Sequence, residues 1–490
     1  MLSYFFDISR RRELIMAYRT GNREQMTLLP QSIEDYVGSG DPVRAFDAFV
    51  EALDFNKCGI IIVPKKVGNP GYNPKAMLKL LLYGYSYGFR SSRKLERAVY
   101  HNLSFIWLMG DLKPDHKTIA EFRRKNEKSI AKVLRQCARL CIDLDLIEGN
   151  TLFVDGSKVR ANAGIKHTWT KKRCEKSLQK IDSRIEAILS ECEKVDRQEQ
   201  ELPSVVTMKK ELQNKKVLRV KVEKILKKLE EEGQKSVNTT DEECTKVKGI
   251  QGTHAGYNVQ SVVDEKHGLI VNTDVVSESN DRNQFAEQIN QANETLEEKC
   301  SVACADAGYD NTDELKSIDD QGIKVIVPLQ KHTSNKKDAS FDKDKFRYDS
   351  EKDYYVCPEG HVLSYRTVDT VRKSKTYQIT DSSLCANCKH YTVCTKGKRG
   401  RRISRLINEE VRERLKSQYE DPESQAIYKL RQQKVELPFG HIKRNLKVNA
   451  FLMRGRDGAR AEMSLFGTCF NMARMITILG VPGLIEKLAS

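Results

Sequence analysis

Three acidic residues stand where a carboxylate can hold a metal ion. Asp155 closes the apolar run from Thr151 to Ser157 (TLFVDGS), Asp306 closes the run from Ser301 to Tyr309 (SVACADAGY), and Glu436 lies in a helical stretch between Tyr428 and Lys443. An ionised carboxylate at the end of a buried strand is costly unless a cation or hydrogen bonds compensate it, so two such strands invite a shared metal site. Two-metal phosphoryl transfer needs oxygen ligands from at least two carboxylates, with open positions for the attacking and leaving oxygens between metals about 3.5–4 Å apart. Hard oxygen ligands suit Mg²⁺ or Mn²⁺, and the chemistry indicated is that of a phosphodiester. Taken singly, each acid also has an ordinary reading. Asp155 before Gly156 is a turn residue, Asp306 a strand end, and Glu436 a solvated helical position.

A second group of chemically capable residues comes later. Cys357-Pro-Glu-Gly-His361 is followed by Cys385-Ala-Asn-Cys388 and by Cys394. Four thiolates including a CxxC pair suit a tetrahedral structural Zn²⁺, and a small insertion with no obvious core needs such a staple. His361 is an alternative ligand to one of the cysteines. Lys396, Lys398, Arg399, Arg401, Arg402 and Arg405 follow with no acid among them, which suggests a surface that tracks phosphates. Cys58, Cys137, Cys141 and Cys469 show no framework spacing and read as buried apolar residues of a reducing compartment.

These residues must be positioned by a chain of 490 residues, long enough for two to four domains. Its formal net charge of +16 favours a polyanionic partner, although charge alone suits a ribosomal or RNA-binding protein equally well. With no run of about 20 apolar residues, and Arg10, Arg11 and Arg12 close to the start, neither a membrane span nor a signal peptide is expected, and the expected location is cytoplasmic. Residues 1–25 read as a poorly ordered extension in which Met16, or Met26 just beyond it, is an alternative start. Residues 26–147 read as a helical domain. Pro74 opens one helix, Ser91 another, and a third begins near Pro114, where Thr118 and Glu121 have capping-box spacing. Their basic faces fit a helix-turn-helix-like DNA-binding unit, and an ordinary helical domain with solvated cations fits as well.

Residues 148–490 carry the acids. Within them, 166–250 reads as a helical-hairpin insertion, because Leu178, Ile181, Ile185, Ile188, Cys192 and Val195 recur at steps of three and four, and Leu218, Val222, Ile225 and Leu229 repeat the pattern after a break at Leu202-Pro203-Ser204. Strands are expected over 256–264 and 268–276, a helix from Asp281 to Leu296, a helix opened by Asn311, and a strand over 323–328. The Cys-rich insertion spans 330–404. Hairpin strands mixed with crossover helices imply an α/β fold with a mixed sheet flanked by helices.

The motifs resemble those of insertion-sequence DDE transposases, which have an RNase H-like catalytic core. The resemblance runs through Leu29-Pro30 and Asp41-Pro-Val-Arg44, Asp155 to Asn162, Gly256 to Gln260, Ala305 to Tyr309, and Val435 to Lys443. It implies that Asp155, Asp306 and Glu436 form the catalytic, Mg²⁺- or Mn²⁺-binding triad. The family's third motif adds a Tyr, an Arg and a Lys, here Tyr428, Arg431 and Lys443. Arg431 precedes Glu436 by five residues, whereas in related transposases the interval can be four. Lys443, seven residues after Glu436, is placed to meet a phosphate of the scissile strand. The implied activity is DNA transposition: binding of terminal inverted repeats, then metal-dependent strand cleavage and strand transfer. Implied partners are double-stranded end and target DNA and a second copy of the chain in the synaptic complex, with no membrane. The rival readings are an RNase H-like nuclease and a non-catalytic DNA-binding derivative.

Overall fold

The computed structural model describes residues 32–60, 71–196, 203–233, 235–249, 252–330, 341–371 and 373–489. The expected extension 1–25, the alternative starts Met16 and Met26, and Leu29-Pro30 lie outside these. So do Leu202 and the side chains of Cys192 and Val195.

Eight short helices open the described chain: α1 (Pro42–Ala52), α2 (Phe55–Cys58), α3 (Pro74–Ser86), α4 (Ser92–His101), α5 (Leu103–Met109), α6 (His116–Lys125), α7 (Glu127–Ile130) and α8 (Val133–Asp143). Their starts follow from capping chemistry. Asp41 before Pro42 accepts from the Val43 N–H, and Asn73 before Pro74 accepts from the Lys75 N–H, each satisfying an orphan donor of the first turn. The third expected helix is capped differently from the sequence reading. Asp115 accepts from the Thr118 N–H at 2.7 Å, and Glu121 pairs with Arg124 instead of closing a capping box.

The central sheet is built on β1 (Thr151–Arg160). It pairs antiparallel with β5 (Gly252–Asp264) and parallel with β7 (Val302–Cys304), which in turn pairs parallel with β8 (Lys324–Ile326). The far edge of β5 is shared by β4 (Thr245–Gly249), a strand not anticipated from sequence, and β6 (Ile270–Val276). Helices α11 (Phe285–Leu296) and α12 (Thr312–Asp319) make the crossovers. The first starts later than its expected Asp281, and the second is capped by Asn311 as expected. Asp155 and Asp306 therefore emerge at the same end of two adjacent parallel strands, where β7 stops and β1 runs on.

Small elements close the base of the hairpin: β2 (Thr168–Trp169) pairs with β3 (Val237–Asn238) beneath α9 (Lys171–Asp196) and α10 (Pro203–Glu231). Cys174, Ile181, Val222 and Leu229 fill the seam with Leu178, Ile185 and Ile225 against them. Leu218, expected in that seam, is instead 40% exposed.

The cysteine-rich region is not coreless. It forms a second sheet of five strands, β9 (Arg347–Asp349), β10 (Tyr354–Val356), β11 (Val362–Asp369), β12 (Ser374–Ile379) and β13 (Arg402–Leu406), with α13 (Ser382–Ala386) between the last two. Phe346, Tyr355, Leu363, Tyr377, Ile379 and Ile403 make its own buried cluster.

Three helices complete the chain: α14 (Glu409–Glu420), α15 (Pro422–Gly440) and α16 (Arg456–Ala489), the last broken at Gly480, where φ is 70°. By length and hydropathy α16 is the one candidate membrane span among the described residues. Its Leu465, Phe466, Cys469 and Met472 are buried in the same core as Leu78, Leu81 and Leu82 of α3, Cys137 of α8, and Val262 and Val271 of the sheet. The expected division at 147/148 therefore does not separate two hydrophobic cores.

Glu462 pins this arrangement. Its wholly buried carboxylate accepts from the Tyr85 hydroxyl at 3.0 Å, from Arg90 at 3.3 Å, and from the backbone N–H groups of Leu452 and Met453. Glu462→Ala removes the acceptor of the buried Tyr85 hydroxyl and of the Leu452 and Met453 N–H groups and leaves Arg90 only the Ala450 carbonyl, so a loss of about 3–5 kcal/mol in urea unfolding is expected. A change below about 1 kcal/mol would show that the network contributes little.

Candidate active site

Alternation along β1 sorts the site into two layers. Asp155 and Ser157 face α15, as does Phe153, which packs with Cys304, Ile326 and Val435. Gly156 and Lys158 face the other way.

On the α15 side, Arg431 Nη1 lies 3.8 Å from Asp155 Oδ1, and its guanidinium sits 5.4 Å from the Tyr428 ring centroid. The Arg431 Nε and Nη1 atoms are buried without a hydrogen-bond partner, so this cation's main compensation is electrostatic. Burial pushes the Asp155 carboxyl up to about 6. Arg431 opposes that shift, and the neighbouring charges of Asp306 and Asp281 add to it. Asp306 caps a short turn over Ala307–Tyr309 and accepts from the Gly308 N–H at 2.8 Å. Beyond α15 a π-turn over His441–Asn445 carries Lys443 to the same place, where its ammonium donates to the Ser157 hydroxyl. Burial draws the Lys443 ammonium down, and Asp155 pulls it back up.

Of the expected triad, Asp155 and Asp306 come together and Glu436 stands apart. It is exposed on α15, and its Oε1 accepts from Gln432 Nε2 at 3.1 Å. Among the described residues, no three His, Cys, Asp or Glu side chains are grouped closely enough to hold a metal ion. The two aspartates nonetheless fit a hard cation. Both offer carboxylate oxygens, and a desolvated carboxyl beside a second acid favours added positive charge.

The opposite layer contains residues that the sequence reading passed over. Asp281, in the loop before α11, accepts from Lys158 Nζ at 3.0 Å, Asn258 Nδ2 at 2.8 Å and Gln260 Nε2 at 2.7 Å. Gln260 in turn accepts from the buried Tyr309 hydroxyl. The signal available was the parity of Lys158 on β1 with Asn258 and Gln260 on β5; nothing local to Asp281 distinguishes it.

In the second sheet, Cys357, Cys385, Cys388 and Cys394 line one small cavity with His361 and His390. The His361 N–H donates to the Cys357 sulfur at 3.3 Å and the His390 N–H to the Cys388 sulfur at 3.5 Å. The basic run is divided. Lys398 and Arg399 are exposed, and so is Arg402, which donates to Gln378 at 3.0 Å. Arg401 stacks over Phe346 and donates to the Cys394 and Phe341 carbonyls, while Arg405 is buried over Tyr348. Both are structural cations, and the phosphate-tracking reading of them is corrected on that ground.

Comparisons with known proteins agree with the helices and with α15. A Transposase domain (DUF772) matches residues 31–125, and a Transposase DDE domain matches residues 356–476. Both matches are to transposase domains, one at each end of the described chain. The two matches cover the N-terminal helices, most of the second sheet and the Glu436 helix, and leave 126–355, with Asp155 and Asp306, between them. No curated protein matches the chain. A solved structure, a piggyBac transposase synaptic complex with hairpin DNA, shares 9% identity at a TM-score of 0.33, covering 92% of this chain and 79% of that one, a likeness too distant to bear on the site.

Proposed function

We propose that this chain is the DNA transposase of an insertion sequence, with Asp155, Asp306 and Glu436 as its catalytic carboxylates on an RNase H-like core. The observation that carries this reading is the convergence of Asp155 and Asp306 from adjacent parallel strands, near enough that the charge of one raises the pKa of the other. The strand order β6-β5-β1-β7-β8, an antiparallel meander continued by parallel crossovers, supports the RNase H-like core.

Bound by the two aspartates, Mg²⁺ or Mn²⁺ would supply Lewis-acid polarisation of the scissile phosphate. The protein's own groups orient and neutralise. Asp155 and Asp306 are fixed by β1 and by the capped turn, Arg431 balances the charge of Asp155 from α15, and Lys443 presents an exposed ammonium to the phosphate of the strand being cut. Glu436 is taken as the third carboxylate from its place in the matched Transposase DDE domain. Base-edge readout of the terminal repeats falls to α4 and α6, whose Arg93, Lys94, Arg97 and Lys117 are exposed, and Lys398, Arg399 and Arg402 bind phosphates without regard to sequence.

A gel assay with the purified chain, Mg²⁺ and labelled duplexes taken from the DNA flanking its own gene tests the reading. Nicked ends with a free 3′-hydroxyl and branched products joined to a second duplex are expected. Cleavage without joined products would favour the RNase H-like nuclease, and neither product the non-catalytic derivative.

A further inference from the structure

One carboxylate ties together the segments that carry the two aspartates, yet it faces away from them. Asp281 Oδ1 receives hydrogen bonds from Lys158 on β1 and from Asn258 and Gln260 on β5, and its Oδ2 receives a second contact from Lys158 Nζ at 3.1 Å. Lys158 pairs with Asn258 across the ladder, and Gly156 pairs with Gln260, so the three donors and the loop carboxylate form one compact layer. Gln260 extends that layer to the Asp306 turn by accepting from Tyr309.

The glycine after Asp155 is explained by the same group. A Cβ on Gly156 would stand 2.4 Å from Asp281 Oδ1 and 2.8 Å from Gln260 Nε2, inside both atoms. Gly308, in the other acid motif, lies against the same carboxylate, its Cβ position 4.0 Å from Asp281 Oδ2. The Asp281–Lys158 ion pair is about four-fifths buried on each side, so neither charge is spent on solvent. Lys158 is thereby occupied, which leaves Arg431 and Lys443 as the cations facing Asp155.

We infer that Asp281 is a positioning residue of the active site: it fixes Asp155 relative to Asp306 by clamping β1, β5 and the Ala307–Tyr309 turn from behind the sheet. This rests on the reading of Asp155 and Asp306 as the metal-binding pair. Asp281 acts through Lys158, Asn258 and Gln260, the groups it holds. Its effect is on how well the two front carboxylates are aligned, and a misplacement of about 1 Å is enough to cost about 100-fold in rate.

Asp281→Asn keeps the shape and removes the charge that holds Lys158. With the full chain, single-turnover cleavage of the end duplex at saturating DNA should fall about 100-fold, with DNA affinity within about threefold of wild type. Mn²⁺ affinity in the absence of DNA, read from the spin-resonance signal of free Mn²⁺, should fall about tenfold, as for groups that orient metal ligands. Lys158→Met combined with Asp281→Asn should be no worse than Asp281→Asn alone, since both break one pair. Gln260→Met, which removes one donor to Asp281 and the link to Tyr309 but leaves the Lys158 ion pair, is the second variant should Asp281→Asn fail to fold, and it should show the same pattern in weaker form. Wild-type cleavage and Mn²⁺ binding in either folded variant overturn the inference. Asp155→Asn and Asp306→Asn are run alongside. If they too cleave normally, the metal-pair reading has failed. If they are inactive while the Asp281 variant is normal, only the positioning role has.

Discussion

Asp306→Asn is expected to lower cleavage of a terminal-repeat duplex by roughly a thousandfold or more while leaving the duplex bound. The substitution is nearly isosteric, and the asparagine oxygen can still accept from the Gly308 N–H that shapes the turn, so the fold has little reason to change. What is lost is negative charge beside Asp155, on which a divalent cation depends. DNA affinity should hold because the exposed cations of α4, α6 and the 398–402 segment are untouched. Paired gel-shift and cleavage assays on one preparation decide the matter: near-normal cleavage in Mg²⁺ removes Asp306 from the site.

The second large effect concerns the four cysteines. We propose that Cys357, Cys385, Cys388 and Cys394 draw together around one structural zinc: they are not grouped at ligand distance here, but they line a single cavity, and two of their sulfurs receive backbone N–H bonds of the kind that favour a thiolate. Burial holds the Cys394 thiol above its ordinary range, with the other three thiols adding to the shift, an environment in which a divalent cation would favour all four thiolates. Elemental analysis of protein purified without chelator should give about one zinc per chain. Cys388→Ser should abolish it and loosen the β9–β13 sheet, whose aromatic cluster packs directly on Cys357, Cys385 and Cys394. If no zinc is found and all four thiols titrate freely in the folded chain, these cysteines are ordinary small apolar residues.

The sequence was most legible where the signal is local. An apolar run ending in Asp-Gly located Asp155, and Pro74 and Asn311 marked helix starts that the structure keeps. It was least legible where the determinant lies far along the chain. Nothing near Asp281 marks it, since its donors arrive from β1 and β5, and the loop was read instead as the start of a helix. The second sheet escaped notice because β9 and β10 have three residues each, too short for alternation to register. A run of arginines looks the same whether its members meet phosphate or stack on Phe346 and Tyr348, as Arg401 and Arg405 do. Glu436 was located correctly on a helix, but helical spacing does not say how far that helix face stands from the strand ends.

The placement of α16 has a consequence for how the protein comes into being. The Cys469 thiol donates to the Leu82 carbonyl, and Glu462 to Tyr85 is a contact between residues made at opposite ends of translation. While a ribosome is still working through the middle of the message, α3 has no partner for its buried face, and such exposed apolar surface invites aggregation or a chaperone. Closure waits until Glu462 has been made, and its loop entropy is that of the 377 residues separating it from Tyr85. A chain cut short before α16 therefore leaves the inward face of α3 without its partner, and its N-terminal helices are expected to be readily digested in limited proteolysis.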